Sequence, residues 1–165
     1  MSARGGGGAR PALVLVILLG LQFYVRPRLG LAHGAPDFVA IAVLLFALRA
    51  RPGSAAVAGL AAGLLTDALT PARFGAGALA HTVVGYLGAW GRAVFFADNL
   101  LVTAGFFAVG TWVRNLLVLL ASGTPASQMW MEAGVWSTVQ ALSTAVAGTV
   151  LAVLLRGWLD LRIRE

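Results

Sequence analysis

The segment GLAAGLLTDALTPARFGAGALAHTVVGYLGAW, Gly59–Trp90, decides the reading of this chain. Two apolar runs meet in it at the turn Thr70-Pro71-Ala72-Arg73. The first ends with Asp67 and the second carries His81. An ionisable group inside an apolar segment of membrane-spanning length is costly, so it faces protein or water and has a role. Before the turn Ala55, Gly59 and Gly63 recur every four residues, the small-xxx-small spacing that lets two helices approach closely. After it His81, Gly85 and Gly88 share one helical face by their i, i+4, i+7 spacing. The wider stretch Pro36–Trp90 is therefore where helices are expected to meet, with the other apolar segments packed around it.

Composition sets the class. The chain has 165 residues, of which 59% are apolar and 11% charged, with a mean hydropathy of +0.87. A soluble globular domain carries roughly 25% charged residues. The length leaves room for about six spans of roughly 20 residues and no soluble domain besides. The net charge of +6 and the pI near 11.5 do not point to nucleic acid. All twelve basic residues are Arg, scattered singly or in pairs, most of them at the ends of apolar segments, as membrane orientation requires. The absence of Cys excludes disulfides, thiolate metal sites and cysteine nucleophiles, and leaves the redox compartment open.

An all-α, six-helix transmembrane bundle is expected, with spans at about 11–25, 36–48, 54–69, 74–90, 98–121 and 130–155. Residues 1–10 read as a flexible basic leader to an uncleaved signal anchor, and residues 156–165 as a short charged tail. Pro36-Asp37 opens the second span, Pro pre-setting the first turn and Asp complementing the positive helix end. This span is short for a bilayer, as is the first, beyond which Arg26 is expected to snorkel. With both termini cytoplasmic, Arg4, Arg10, Arg49, Arg51, Arg92, Arg156, Arg162 and Arg164 lie inside and Arg26, Arg28 and Arg73 outside, which obeys the positive-inside rule. No inverted repeat relates the two three-span halves.

Placed by depth, Asp67, His81, Arg114, Glu132 and Asp37 all fall in the outer half of the bundle, on five segments. Unpaired, each is expensive there, so pairing such as Asp67 with Arg114 or His81 is expected. Three readings stand. The cluster is a buried network fixing helix register; or, with Gly59 and Gly63, it meets a partner's transmembrane helix; or it is a proton relay or small-ligand pocket. Enzyme readings fare poorly, since no nucleophile elbow, HExxH, P-loop or paired intramembrane aspartates are present, and no catalytic residue, metal site or cofactor is assigned. His33 and His81 lie on separate segments without a third ligand. Trp90, Trp112, Trp130, Trp136 and Trp158 fall mostly near span ends, as an aromatic belt would; lining of a cavity by Trp112 and Trp136 is the lesser reading.

The size, six-span layout and short tails, Pro36-Asp37 at the second span, and GLLTDAL followed by FGAGALAHTVVGYLGAW resemble the rod shape-determining protein MreD family. The likeness is specific over about Pro36–Trp90. It implies a non-enzymatic inner-membrane scaffold of the bacterial cell-elongation machinery. Its partner would be the single-span protein MreC, and through it MreB filaments, the RodA glycosyltransferase and a class B penicillin-binding transpeptidase of peptidoglycan synthesis. The family is similar in fold to the S components of energy-coupling-factor transporters. That similarity supplies the alternative, a vitamin-capturing subunit with its pocket near Asp67, His81, Arg114 and Glu132. The short outer loops, too short for a lid, favour the scaffold.

Overall fold

The computed structural model describes residues 9–30, 34–69, 71, 74–95 and 99–155. The leader up to residue 8, the charged tail, His33, Arg73 and Asp98 lie outside them. Within the described residues all regular structure is helical. Six helices follow in order: α1 Ala9–Tyr24, α2 Phe38–Ala47, α3 Pro52–Ala68, α4 Ala76–Phe95, α5 Leu100–Ala121 and α6 Ala126–Leu155. A 3-10 turn, Arg26–Leu29, follows α1, and the Trp130–Trp136 part of α6 is π-helical.

The bundle is built around α2. Its ten residues, FVAIAVLLFA, are apolar on every side, and a helix apolar all round belongs in a core. Val39, Ala40, Ile41, Ala42, Val43, Leu44, Leu45 and Ala47 are buried, and α2 touches each of the other five helices. Ten residues of helix rise only ~15 Å, half the ~30 Å of a bilayer's hydrocarbon. The chain turns at Leu48–Ala50 instead of extending the helix into the Arg49–Arg51 region. Only α5 and α6 are both long enough and apolar enough, among the described residues, to cross a membrane by themselves.

Two hairpins flank this core. Helices α3 and α4 make the most extensive pairing, with their backbones in contact. A Cβ on Gly59 would run into the carbonyl of His81, one on Gly63 would lie 2.5 Å from the Cα of Ala78, and one on Gly85 would lie 2.5 Å from the carbonyl oxygen of Ala55. Only residues without side chains permit that approach. Gly88 is looser, facing Ala47 and Leu44 of α2 and Phe106 of α5. The second hairpin pairs α5 with α6, where Phe107, fully buried, sits against Gly148. Chain direction brings the α1–α2, α3–α4 and α5–α6 connections to one end of the bundle.

Candidate functional site

Asp37 is oriented by backbone before it meets any charge. As the N-cap of α2 its Oδ1 accepts from the amides of Val39 and Ala40, both at 3.0 Å, satisfying two of the donors that a helix start leaves open. Its own amide donates to Oγ1 of Thr144 on α6 (3.0 Å), and the amide of Phe38 donates to Oε1 of Gln22 on α1 (2.9 Å). Asp37 is 0% exposed. Oδ2 is left for Arg114 of α5, whose Nη1 lies 3.1 Å away. A buried pair of this kind adds little net stability, but removing one partner strands the other charge.

From Arg114 a chain of amides leads back to the same corner. Nη1 donates to Oδ1 of Asn115 (2.8 Å), Nδ2 of Asn115 donates to Oε1 of Gln140 on α6 (2.8 Å), and Nε2 of Gln140 donates to the carbonyl of Ala35 (3.3 Å). His81, 0% exposed on α4, is in electrostatic reach of both Asp37 and Arg114. Its Nδ1 lies 2.8 Å from the carbonyl oxygen of Gly77, so that nitrogen carries the proton, and its Nε2 is buried with no partner. Thr111, one turn before Asn115 on α5, likewise has a buried hydroxyl without a partner.

Asp67 does something different from the expected charge pairing. It is buried at the end of α3, and its carboxylate accepts from the amides of Gly75 (2.9 Å), Gly77 (3.1 Å) and Ala78 (2.8 Å). It therefore closes the open donors at the start of α4, where the helix dipole also favours an anion. The physical reason is local. Gly75, with φ +97°, bends the chain sharply after α3 and delivers these amides to the carboxylate. Two of these donors fall on Oδ2 and one on Oδ1, and no ion pair from Asp67 to Arg114 or His81 is found among the described residues.

Beside the Asp37–Arg114 pair a cavity of about 140 Å³ opens between the turn after α1, α5 and α6. Arg26, Arg114, Asn115, Glu132, Trp136 and Gln140 are among the residues lining it. Of the five ionisable residues singled out from the sequence, Asp37 and Arg114 form an ion pair, and His81 is in electrostatic reach of that pair and of Asp67. Glu132 lines the same cavity as Arg114, and Asp67 is held by the backbone of the α3–α4 hairpin. Sequence reasoning gave no role to Gln22, Thr144 or Ser137. The signal for the first two was their polarity inside apolar helices, where a side-chain hydrogen bond across helices is the usual reason to keep such a residue. The π-helical turn around Glu132 left no such mark. There the carbonyl of Glu132 accepts from both the amide and the hydroxyl (2.7 Å) of Ser137, and the carbonyl of Ala133 accepts from Nε1 of Trp112 (3.2 Å). Trp112 is thereby tied to α6 by a hydrogen bond.

Chemically the arrangement fixes positions. It ties α1, α2, α5 and α6 to one another at one end of the bundle through side-chain hydrogen bonds and one ion pair. No group of three or more His, Asp or Glu residues able to hold a metal occurs among the described residues.

A family model described as rod shape-determining protein MreD matches residues 10–162. Comparison with curated proteins and with solved structures gave no match. The similarity to energy-coupling-factor S components is accordingly not carried by any matched structure.

Proposed function

The chain belongs to the MreD family, and on that premise we propose that it is a non-enzymatic scaffold subunit of the bacterial cell-elongation machinery that holds the single-span protein MreC. The family is one of rod shape-determining proteins and not a known enzyme family, and with two membrane-capable helices the chain is a membrane protein. In this reading it lies in the cytoplasmic membrane with both termini inside and the Asp37 end outward. Through MreC it works beside RodA, a class B penicillin-binding transpeptidase and MreB.

The observation that carries the reading is an apolar groove of about 430 Å³ between α4 and α5, lined by residues that include Val84, Leu87, Gly88, Gly105, Val109 and Gly110. In lipid, helices associate by close packing on small-residue faces, so a glycine-lined apolar groove suits an apolar helix from outside. The Gly59–Gly63 stripe is not free for that purpose, because α4 already fills it. No comparison supports the vitamin-capture alternative.

Gly105→Leu tests this. A Cβ at Gly105 meets nothing, so the larger side chain fills the groove without disturbing the bundle. Gly20→Leu on α1, equally open, is the control. Recovery of MreC with the tagged chain from native membranes should fall several-fold for Gly105→Leu and hold for Gly20→Leu. Equal recovery with both would remove the groove from the interface.

A further inference from the structure

The cavity beside the Asp37–Arg114 pair is lined by more charge than that pair neutralises. Arg114 spends Nη1 on Asp37 and Asn115, yet its Nε is buried without a partner. Arg26, on the 3-10 turn after α1, also has a buried Nε without a partner. Across the cavity, the carboxylate of Glu132 makes neither a hydrogen bond nor an ion pair with any described residue. The one ion pair found among those residues is Asp37–Arg114. Buried donors are ordinarily satisfied, and a partly exposed carboxylate without a protein partner, beside two buried guanidinium nitrogens without one, marks a place where something binds.

The sign pattern says what. Asp37 offsets one guanidinium, which leaves one net positive charge on the Arg26–Arg114 side and one negative charge at Glu132. A pure anion would satisfy the arginines and be repelled by Glu132, and a pure cation would meet the reverse. A net-neutral group with an anion at one end and an ammonium at the other satisfies both. Guanidinium groups suit phosphate, to which they offer several directed donors. Val118, Leu119 and Trp136 give the same cavity an apolar side.

We propose that this cavity is a binding site for a phosphate–ammonium zwitterion, the phosphate held by Arg26 and Arg114 and the ammonium by Glu132. The chemistry occurs both in the phosphoethanolamine headgroup of a phospholipid and in the free small molecule. The site does not depend on the scaffold reading, and its occupancy is measured on the purified chain with no partner present.

The test is native mass spectrometry of the delipidated full chain with phosphatidylethanolamine or phosphatidylglycerol added back, alongside calorimetry with soluble phosphoethanolamine. Phosphatidylethanolamine should be retained about fivefold over phosphatidylglycerol, the scale of one solvent-edged charge pair. Glu132→Gln should abolish that preference, and Arg26→Gln should weaken retention of both lipids. Neither substitution removes a hydrogen bond or ion pair found in the described structure, so unchanged thermal unfolding verifies the fold. Binding of soluble phosphoethanolamine, lost in Glu132→Gln, without any lipid preference would support the same site with the free molecule as its occupant. Equal retention of the two lipids with no binding of phosphoethanolamine overturns the proposal, as does a preference indifferent to Glu132→Gln.

Discussion

Replacing Asp67 by Asn separates two accounts of this buried carboxylate. The structure gives it three backbone donors at 2.8–3.1 Å, from Gly75, Gly77 and Ala78, two on Oδ2 and one on Oδ1. Asn has one side-chain oxygen, so it keeps at most one oxygen's share of these bonds and turns an NH2 toward whatever the other oxygen had accepted. A hydrogen bond to a charged acceptor contributes about 1.5–3 kcal/mol, and one to two are lost against the relief of no longer burying a charge. The expected cost is about 2–3 kcal/mol. Charge pairing with Arg114 would give a similar single-mutant loss, so the decisive assay is a double-mutant cycle. Asp67→Asn, Arg114→Gln and the double variant are unfolded in mixed micelles and followed by tryptophan fluorescence. Coupling between the two sites should stay within about 0.5 kcal/mol, since no hydrogen bond or ion pair joins them, whereas the Asp37→Asn/Arg114→Gln cycle should give about 1–3 kcal/mol. A coupling above about 1 kcal/mol between Asp67 and Arg114 would refute the assignment of Asp67 to the start of α4.

The same unfolding assay checks two further expectations. Gly63→Leu should destabilise by about 3 kcal/mol, because its Cβ would lie 2.6 Å from the carbonyl oxygen of Gly77 as well as against Ala78, and the α3–α4 hairpin must open; Gly20→Leu, with open space around it, should stay within about 0.5 kcal/mol of the parent. Gln140→Leu strands the Nδ2 donor of Asn115 and the carbonyl of Ala35, for a loss of about 1–3 kcal/mol. Adding Asn115→Leu removes the stranded Nδ2 together with the acceptor of Arg114 Nη1, so the double variant should cost less than the sum of the two single losses; a purely additive double variant would contradict the network.

Much of this was legible because some signals are local. Pro36-Asp37 marks the start of α2 through chemistry confined to one helical turn, and the structure has Asp37 capping that helix. The four-residue recurrence of Ala55, Gly59 and Gly63 lies against α4 with backbone contact that spacing alone anticipates in kind. The partner of Asp67 was not legible. Depth along a helix ranks charges by proximity to one another, but it says nothing of amides that a positive-φ glycine swings back onto the carboxylate. That Arg26, beyond the end of the first span, lines a cavity together with residues of α5 and α6 has no mark in the sequence, because it depends on how distant segments pack. The π-helical turn at Trp130–Trp136 is similarly silent, because an inserted residue in a helix alters which faces align without altering composition.

The central claim is that the groove between α4 and α5 receives the membrane helix of MreC. A photo-crosslinking amino acid at Val109, a groove residue 63% exposed, tests it in cells, with Val57 on α3, 67% exposed and outside the groove, as the comparison. The account predicts that mass spectrometry of the Val109 adduct identifies the membrane-spanning segment of MreC, and that Val57 gives no such adduct. Adducts to MreC from Val57 alone would contradict it.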